Sequence, residues 1–274
     1  MEYVFENTVG DEKRLALYSG LLSLTFPETK KYTPEFLNWQ YNKNPIGKVV
    51  GYDAFYDGEL VGHYVTLPVL YSFRGTILKG LLSLNTATHP THQGKGLFTK
   101  LAERTYEYGV QQNYNFVIGV ANQNSTPGFL RKLGFSLIAP LDARIFIGKS
   151  KLEERNKTII QSSWDESTTR WRLNNPSTTY YNTPSGVVSK THISFINAVM
   201  SQKILPGKIA LQDHSNSFFK MSIGLNLNKS GLIKINLPAS MKPSPLNLIF
   251  KSLGQLSIPT KDEIYFELLD FDAY

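Results

Sequence analysis

Two glycines mark the stretch of sequence in which chemistry is easiest to place. Residues 89–98 read HPTHQGKGLF, with Gly94 and Gly96 on either side of Lys95 and an apolar helical pattern that begins at Leu97. A helix N-terminus leaves backbone N–H groups unpaired and carries a partial positive charge, so it binds phosphate without side-chain cations. Glycines there permit positive φ and leave room for a ligand. The stretch is therefore predicted to be a phosphate-binding loop.

The spacing excludes two common phosphate loops. In a Walker loop the second glycine is followed by Lys and then by Ser or Thr. Here Leu97 follows Gly96. A dinucleotide fingerprint needs a third glycine where Thr99 stands, and it opens a fold that several elements precede here. The remaining alternative is a helix start whose glycines serve close packing only.

The elements that must position this loop follow from apolar periodicity and turn residues. Thr33 and Pro34 have the residue types of an N-cap and a first helical position, and Asp57-Gly58 indicates a hairpin. Helices are predicted at 11–26, 32–45, 97–113 and 124–135, and strands at 2–5, on both sides of Asp57-Gly58, and at 76–89, 115–122 and 136–148. The strand–helix–strand unit predicts a parallel pair of strands, with a ligand crevice at their carboxyl ends.

The loop resembles the pyrophosphate-binding loop of the GNAT superfamily of N-acyltransferases, whose pattern is Arg/Gln-x-x-Gly-x-Gly/Ala. In THPTHQGKGLFTKL, Gln93 matches the first place and Gly96 the fourth, whereas Phe98 stands where a small residue is expected. GVANQNSTPGFLRKLGF is similar to the family's next strand and helix, including the ending Lys132 to Phe135. The resemblance covers roughly residues 1–148, and the loop and this helix are its specific motifs.

This resemblance implies an α/β fold with a mixed sheet and splayed central strands, and acyl-CoA as co-substrate without a metal. The pyrophosphate would lie on the N–H groups of Gly94 to Thr99, and the pantetheine arm in the gap between the two central strands. Asn122 and Asn124 would hold the arm or the leaving thiolate; their alternative role is helix capping. The residues expected to contact the cofactor are Thr86, Ala87, Thr88, Gln93, Gly94, Lys95, Gly96, Leu97, Phe98, Thr99, Asn122, Asn124 and Phe129.

The catalytic groups are less clear from the sequence. Many family members place a tyrosine acid one turn into the last helix, and Leu130 occupies that place here, beside Phe129. His63 on the hairpin and Asn85 on the central strand are the catalytic candidates. Asn85 cannot act as a base but can orient an amine or a water, and His63 has a structural role as its alternative. His89, which precedes Pro90, is predicted to shape the turn.

The acceptor pocket is predicted from the second helix. Trp39 and Tyr41 belong to the segment that lines this pocket in similar enzymes, where aromatic faces would stack on a sugar or a base ring; core packing is their alternative role. The segment is similar to TTRWRLNNPSTTYY at residues 168–181, which predicts an internal repeat. We therefore expect a domain at 1–148, a connector at 149–165, and at 166–274 a second, smaller domain that is a degenerate GNAT-like copy or an acceptor-site domain, without a glycine loop.

Composition limits the partners. The 29 Lys and Arg exceed the 22 Asp and Glu, but no basic run is longer than a pair, so no nucleic acid is expected. A modest positive excess suits phosphate-bearing ligands. The absence of cysteine excludes disulfides and thiolate nucleophiles. Without a long apolar stretch or a signal-peptide pattern, no membrane insertion and a cytoplasmic location are expected.

The resemblance implies an enzyme, an N-acyltransferase that moves an acyl group from acyl-CoA to a primary amine. Two-part members with a segment such as WQYNKNP at 39–45 look like enzymes of bacterial surface-polysaccharide biosynthesis that acylate nucleotide-linked amino sugars. Two alternatives stay open. One is an aminoacyl-tRNA-dependent transferase of cell-wall peptide assembly, and the other is a non-catalytic CoA-binding protein, which the missing acid permits.

Overall fold

The computed structural model describes residues 2–148, 160–183, 186–193, 195–207, 211–213, 219–227, 233–235 and 246–271. The chain forms two compact units, and neither is a continuous segment. The first unit comprises Met1–Leu70, Leu78–Leu137 and Ile249–Ile258. The second unit comprises Tyr71–Ile77, Ile138–Leu248 and Pro259–Tyr274.

The helices begin where the capping residues indicate. They are α1 (Glu12–Thr25), α2 (Pro34–Asn42), α3 (Leu97–Gln111), α4 (Thr126–Lys132) and α5 (Glu166–Leu173). Asp11 caps α1 by accepting from Arg14 N at 3.0 Å, and Thr33 caps α2 by accepting from Phe36 N at 3.1 Å. The helices predicted at 11–26, 32–45, 97–113 and 124–135 are thus confirmed. None of the helices in the described ranges is long and apolar enough to cross a membrane.

The strands form two mixed sheets. They are β1 (Val4–Asn7), β2 (Val50–Tyr56), β3 (Glu59–Phe73), β4 (Thr76–Thr88), β5 (Phe116–Ala121), β6 (Ser136–Pro140), β7 (Asp142–Ile147), β8 (Gln161–Ser162), β9 (Tyr180–Thr183), β10 (Gly186–Lys190), β11 (Ile196–Ser201), β12 (Gln212–Asp213), β13 (Phe219–Leu225), β14 (Ile233–Ile235), β15 (Asn247–Ser252) and β16 (Phe266–Glu267). The first sheet has the order β1-β2-β3-β4-β5-β15-β6, with β8 paired to β3. The second has the order β12-β9-β10-β11-β13-β7-β14, with β16 paired to β13.

The centre of the first sheet has the geometry that the resemblance implies. β4 and β5 are parallel, and their last paired residues are Ser83 and Gly119, although β4 continues to Thr88 and β5 to Ala121. The two strands therefore splay apart at their carboxyl ends. This confirms an α/β fold with splayed central strands.

Helix α3 covers this sheet. Its buried residues Leu97, Leu101 and Ala102 belong to the same core cluster as Val61 of β3 and Val117 of β5. Burial of such aliphatic side chains stabilises the fold by about 1.5 to 3 kcal/mol each. The first two turns of the helix that begins at the glycine loop are thus anchored in the core.

The stretch 136–148, predicted as one strand, is two strands in different sheets. Pro140 ends β6, because proline has no N–H to donate to a ladder, and Leu141 N instead donates to Leu246 O at 2.7 Å. β7 then pairs antiparallel with β13 and β14 in the second sheet. In return, β15 lies between β5 and β6 in the first sheet. The two sheets therefore do not divide at residue 148: β8 and β15 belong to the first sheet, and β7 belongs to the second.

The two sheets share an order of pairing. In the first, β2 pairs antiparallel with β3, β4 follows β3 through a two-residue turn, and β4 pairs parallel with β5. In the second, β9, β10 and β11 pair antiparallel in turn, and β11 pairs parallel with β13. The segment 149–159, which is most of the predicted connector, lies outside the described residues.

Candidate active site

The glycine loop joins the end of β4 to α3. After a short 3-10 turn at Pro90–His92, Gly94 has φ +74° and Gly96, the residue before α3, has φ +76°. A Cβ at either glycine would meet no atom within 4 Å. The left-handed backbone, rather than crowding, therefore requires glycine at both places, and the space above the loop is open to a ligand.

The amides of this loop are available to a ligand. In the described part of the chain, the backbone N–H groups from Gly94 to Thr99 donate no hydrogen bond, and the first amide that does so is Lys100 N, to Gly96 O at 3.2 Å. Gln93, Gly94 and Lys95 are exposed. Such a row of free donors at the positive end of a 15-residue helix is suited to a diphosphate.

Phe98 does not occupy the space above the loop, although a small residue was expected in its place. Its ring packs edge-on against Phe129 at 5.1 Å and against Tyr64 at 6.0 Å between ring centroids. Gly128 of α4 makes room for it, since a Cβ there would come within 3.0 Å of the Phe98 ring. The bulky residue thus joins α3 to α4 and leaves the amides accessible. Phe129 is itself in the core, 6% exposed, and Leu97 is 1% exposed.

Asn85 lies in β4 just beyond the last paired residue, where the strands splay. Its φ is +45°, a left-handed conformation inside a strand, which asparagine tolerates better than most residues. Thr86, Ala87 and Thr88 follow it along the splayed end. Gln93 Nε2 donates to Thr88 O at 3.4 Å, which ties the loop to this strand end. The structure therefore brings Asn85, the three residues after it and the loop into one continuous strip.

The side chain of Asn122 closes the turn that leads into α4, whereas the side chain of Asn124 makes no hydrogen bond among the described residues. Asn122 Oδ1 accepts from Asn124 N at 3.0 Å, Ser125 N at 2.9 Å and Ser125 Oγ at 3.0 Å. Asn122 O also accepts from Thr126 N at 3.0 Å. The residue before α4 is Ser125, and α4 has no side-chain cap, so the alternative capping role is not seen for either asparagine. Both asparagine side chains are exposed beside the end of β5.

His63 is fully buried in a network of polar side chains. Its Nδ1 lies 2.7 Å from Asp53 Oδ1, and its Nε2 lies 2.9 Å from Tyr41 OH. Its ring stacks on Tyr18 at 4.3 Å, and Tyr18 OH donates to Asp53 Oδ2 at 2.6 Å. Burial and the charge of Asp53 raise the pKa of Tyr18. His63 therefore cannot contact a substrate directly in this structure, but hydrogen bonds link it to Asp53 and Tyr41.

Sequence reasoning missed Asp53. The two-residue turn at Asp57-Gly58 would place Asp53 opposite Gly62 in a regular hairpin. A register shift between Ala54 and Phe55 places it opposite His63 instead. Counting residues from the turn therefore predicts a partner one residue away from the observed one. The register shift accounts for the difference.

Trp39 and Tyr41 of α2 are both buried. Trp39 is 5% exposed and its ring lies 5.5 Å from Phe36, and Tyr41 is fully buried. Tyr41 OH accepts from Asn85 Nδ2 at 3.0 Å, and Asn85 Nδ2 also donates to Gln40 Oε1 at 2.6 Å. Helix α2 therefore meets the candidate site through the Asn85 amide. Within the described ranges, no group of three or more His, Asp or Glu is placed to hold a metal ion.

Comparison with known families gives one match, which covers the loop and the splayed strands. Residues 9–138 match the acetyltransferase (GNAT) domain. A search of curated proteins found no match.

Solved structures with this fold span most of the chain. A probable N-acyltransferase from Enterococcus faecalis V583 is 10% identical with a TM-score of 0.60, over 92% of this chain and 73% of its own. A GCN5-related N-acetyltransferase from Kribbella flavida is 11% identical with a TM-score of 0.58, over 91% of this chain and 70% of its own. One from Anabaena variabilis is 10% identical with a TM-score of 0.54, over 92% and 73%. At these identities the likeness concerns the fold.

Proposed function

We propose that this chain is an acyl-CoA-dependent N-acyltransferase that acylates the primary amine of a nucleotide-linked amino sugar. Residues 9–138, which match the acetyltransferase (GNAT) domain, support an acyl-CoA donor. The observation that carries acyl-CoA binding is the row of free amides from Gly94 to Thr99 at the start of α3. The diphosphate of CoA matches these donors in charge and geometry. The splayed ends of β4 and β5 give the thioester arm a path from the loop into the domain.

The reaction needs little from ionisable side chains. The amine nitrogen forms a bond to the thioester carbonyl carbon, and the carbon–sulfur bond breaks with its electron pair on sulfur. The proton lost by nitrogen balances the proton taken up by the thiolate. A thiol has a reference pKa near 8.5, so the thiolate leaves without a strong acid, and positioning supplies much of the rate enhancement. Leu130 stands where many family members have a tyrosine acid, and a reaction that needs no strong acid is consistent with that replacement.

Charge supports an anionic acceptor. Residues 149–274 hold 15 Lys and Arg against 10 Asp and Glu, whereas residues 1–148 hold 14 against 12. A positive excess attracts a nucleotide diphosphate. The likeness of the WQYNKNP segment to enzymes that acylate nucleotide-linked amino sugars points to the same class of acceptor.

We also propose that the second unit is a degenerate copy of the first. The shared order of strand pairing supports this, and so does a shared turn after the helix. Asn44 Oδ1 accepts from Ile46 N at 3.1 Å after α2, and Asn175 Oδ1 accepts from Ser177 N at 2.9 Å after α5. The copy has no counterpart of the glycine loop in its sequence.

Substitution of the loop glycines tests the donor site. Gly94→Val and Gly96→Val should each abolish acyl-CoA binding, measured by calorimetry, because the new side chain enters the space above the amides and strains the backbone by about 1 to 2 kcal/mol. Gly75→Val is the matched control. Gly75 has φ +90°, also has open space around a Cβ, and lies in the turn at the opposite end of β4. Unchanged affinity in both loop variants, or equal loss in the control, would contradict the assignment.

A screen of acceptors tests the reaction. Nucleotide-linked amino sugars are offered with several acyl-CoA thioesters, and amide formation is followed by mass spectrometry together with release of the CoA thiol. Free amino sugars and the corresponding nucleotide hydroxy sugars serve as controls, because they remove the diphosphate and the amine in turn. Strong, salt-sensitive binding of tRNA would instead favour a transferase that uses aminoacyl-tRNA. Acyl-CoA binding without turnover of any amine would favour a non-catalytic role.

A further inference from the structure

A buried chain of four polar side chains in the first unit ends at the point where β4 and β5 separate. Asp53 Oδ1 lies 2.7 Å from His63 Nδ1, His63 Nε2 lies 2.9 Å from Tyr41 OH, and Tyr41 OH lies 3.0 Å from Asn85 Nδ2. Asp53, His63 and Tyr41 are fully buried, and Asn85 is 8% exposed. A buried polar network is costly unless all its members are paired, so its position beside the reaction path calls for an explanation.

One set of hydrogen-bond directions satisfies all four members of this chain. Asn85 Nδ2 donates one hydrogen to Gln40 Oε1 at 2.6 Å and the other to Tyr41 OH. Tyr41 OH therefore accepts from Asn85 and sends its own hydrogen to His63 Nε2. His63 then carries its proton on Nδ1, which donates to Asp53. A tautomer with its hydrogen on Nε2 alone would leave Asp53 facing a nitrogen without a hydrogen.

Two further hydrogen bonds hold Asp53 in place. Thr8 Oγ1 donates to Asp53 Oδ1 at 3.0 Å, and Tyr18 OH donates to Asp53 Oδ2 at 2.6 Å. The stacked Tyr18 ring also keeps His63 from turning. The chain thus begins at a carboxylate that accepts three hydrogen bonds from the protein and whose position does not depend on a ligand.

One consequence concerns the remaining polar atom of Asn85. Both of its N–H groups are committed, so the carboxamide cannot flip, and its Oδ1 is left as an acceptor with no partner among the described residues. The left-handed backbone at φ +45° places this side chain beyond the last paired residue of β4. The site therefore presents one fixed oxygen at the entrance of the splayed strands.

We propose that Asn85 Oδ1 accepts a hydrogen bond from the acceptor's amine, and that Tyr41, His63 and Asp53 act as positioning residues that hold the carboxamide in this orientation. The inference rests on the proposed function. A neutral primary amine has two hydrogens and one lone pair. When one hydrogen points to a fixed oxygen, the lone pair is restricted in direction and can be aimed at the thioester carbonyl.

Two variants and their combination test the proposal. Asn85→Gly removes the side chain at a backbone conformation that glycine adopts freely, and it should lower kcat roughly tenfold to a hundredfold. Tyr41→Phe removes only the hydroxyl and releases the carboxamide, and it should lower kcat roughly threefold to tenfold. Acyl-CoA affinity should stay within about twofold in both, because neither residue touches the loop amides. The double variant should be no slower than Asn85→Gly alone, because Tyr41 acts only through Asn85.

Tyr64→Phe is the matched control. Tyr64 lies beside His63 on β3, is fully buried, and hydrogen-bonds to Ser83 Oγ at 2.8 Å and Tyr106 OH at 2.5 Å. The variant removes the same atom from an equally buried place, so it should lower the free energy of unfolding as Tyr41→Phe does while kcat stays within about twofold.

The outcomes separate this inference from the function on which it rests. If the wild-type chain binds acyl-CoA and acylates an amine while Asn85→Gly keeps kcat within about twofold, or if the two losses simply multiply in the double variant, the inference is overturned and the function stands. If the wild-type chain neither binds acyl-CoA nor acylates any amine, the function itself fails. Should Asn85→Gly not fold, equal kcat values in Tyr41→Phe and Tyr64→Phe would overturn the inference.

Discussion

The pKa of His92 depends on the charges around the glycine loop. It shares a hydrogen bond with Tyr3 OH through Nδ1 at 2.9 Å, and its ring lies 5.2 Å from that of Tyr56. Partial burial of the ring and the nearby charge of Lys95 lower the pKa of His92, with a smaller effect from His89. An anion on the loop acts in the opposite direction to Lys95. His92 is therefore a natural reporter of diphosphate binding.

We expect acyl-CoA to raise the pKa of His92, because the diphosphate offsets the charge of Lys95. Binding then takes up protons, so affinity should increase as the pH falls through the interval between the free and the bound pKa of this histidine. The imidazole signal of His92, followed by NMR titration with and without CoA, measures the shift. Lys95→Ala should raise the pKa in the free protein, whereas Lys100→Ala, one helical turn further on, should not. A pKa that CoA leaves unchanged or lowers would place the diphosphate elsewhere.

At the scale of elements, the contact between α3 and α4 rests on the pairing of a large residue with a glycine. Phe98 is held by the Phe129 ring on one side and by Tyr64 on the other, and Tyr64 is itself fixed by hydrogen bonds to Ser83 and Tyr106. The ring therefore has little freedom to move away from α4. A methyl group on Gly128 would meet it at 3.0 Å.

Gly128→Ala should accordingly destabilise the protein, although alanine is the better helix former by about 1 kcal/mol. In a Phe98→Leu background the clash is removed, and the same substitution should become stabilising. Urea unfolding of the four proteins of this cycle measures the coupling. Gly20→Ala in α1 provides the reference, because a Cβ there meets nothing within 4 Å, and it should stabilise by about 1 kcal/mol. If Gly128→Ala stabilised the wild-type protein, the Phe98 ring would have to move aside, and the predicted clash would be contradicted.

The sequence predicts these elements well and their partners poorly. The caps at Asp11 and Thr33, the Asp57-Gly58 turn and the glycine loop are local signals, and each appears where it was predicted. The partner of a strand is set by non-local pairing, so nothing within residues 142–147 or 247–252 indicates that β7 and β15 belong to different sheets. For the same reason, His63 and Asn85 could be named from the sequence, whereas the role of Asp53 required the observed register.

At the scale of the whole molecule, the first unit depends on β15. Ile249 is fully buried and Phe250 is 1% exposed, with the Phe250 ring stacked on Phe116 at 5.4 Å. Lys251 Nζ also donates to Leu133 O at 2.7 Å. Loss of two such side chains costs roughly 5 to 8 kcal/mol, which approaches the whole stability of a typical domain, about 5 to 15 kcal/mol.

A fragment of residues 1–148 should therefore fold poorly and bind CoA weakly. It lacks β15 and leaves the edges of β5 and β6 unpaired. A chain in which residues 1–140 are joined by a flexible Gly/Ser linker to residues 246–258 should recover cooperative unfolding and CoA affinity. The same chain with Ile249→Asp and Phe250→Asp is the control, because it keeps the length but loses the apolar burial. Full stability of 1–148 alone would show that β15 is dispensable.

The exchange of β7 and β15 also sets an order of events during synthesis. β15 follows its neighbour β6 by roughly a hundred residues, which at the usual 5 to 20 residues per second takes about 5 to 20 s. Throughout that interval the nascent chain contains β5 and β6 but lacks β15, which lies between them in the sheet. The loop and α3 are synthesised early, whereas the first sheet can close only after β15 has been made. Premature termination anywhere before β15 thus yields a chain with exposed strand edges, a substrate for chaperones and proteases rather than a partially active enzyme.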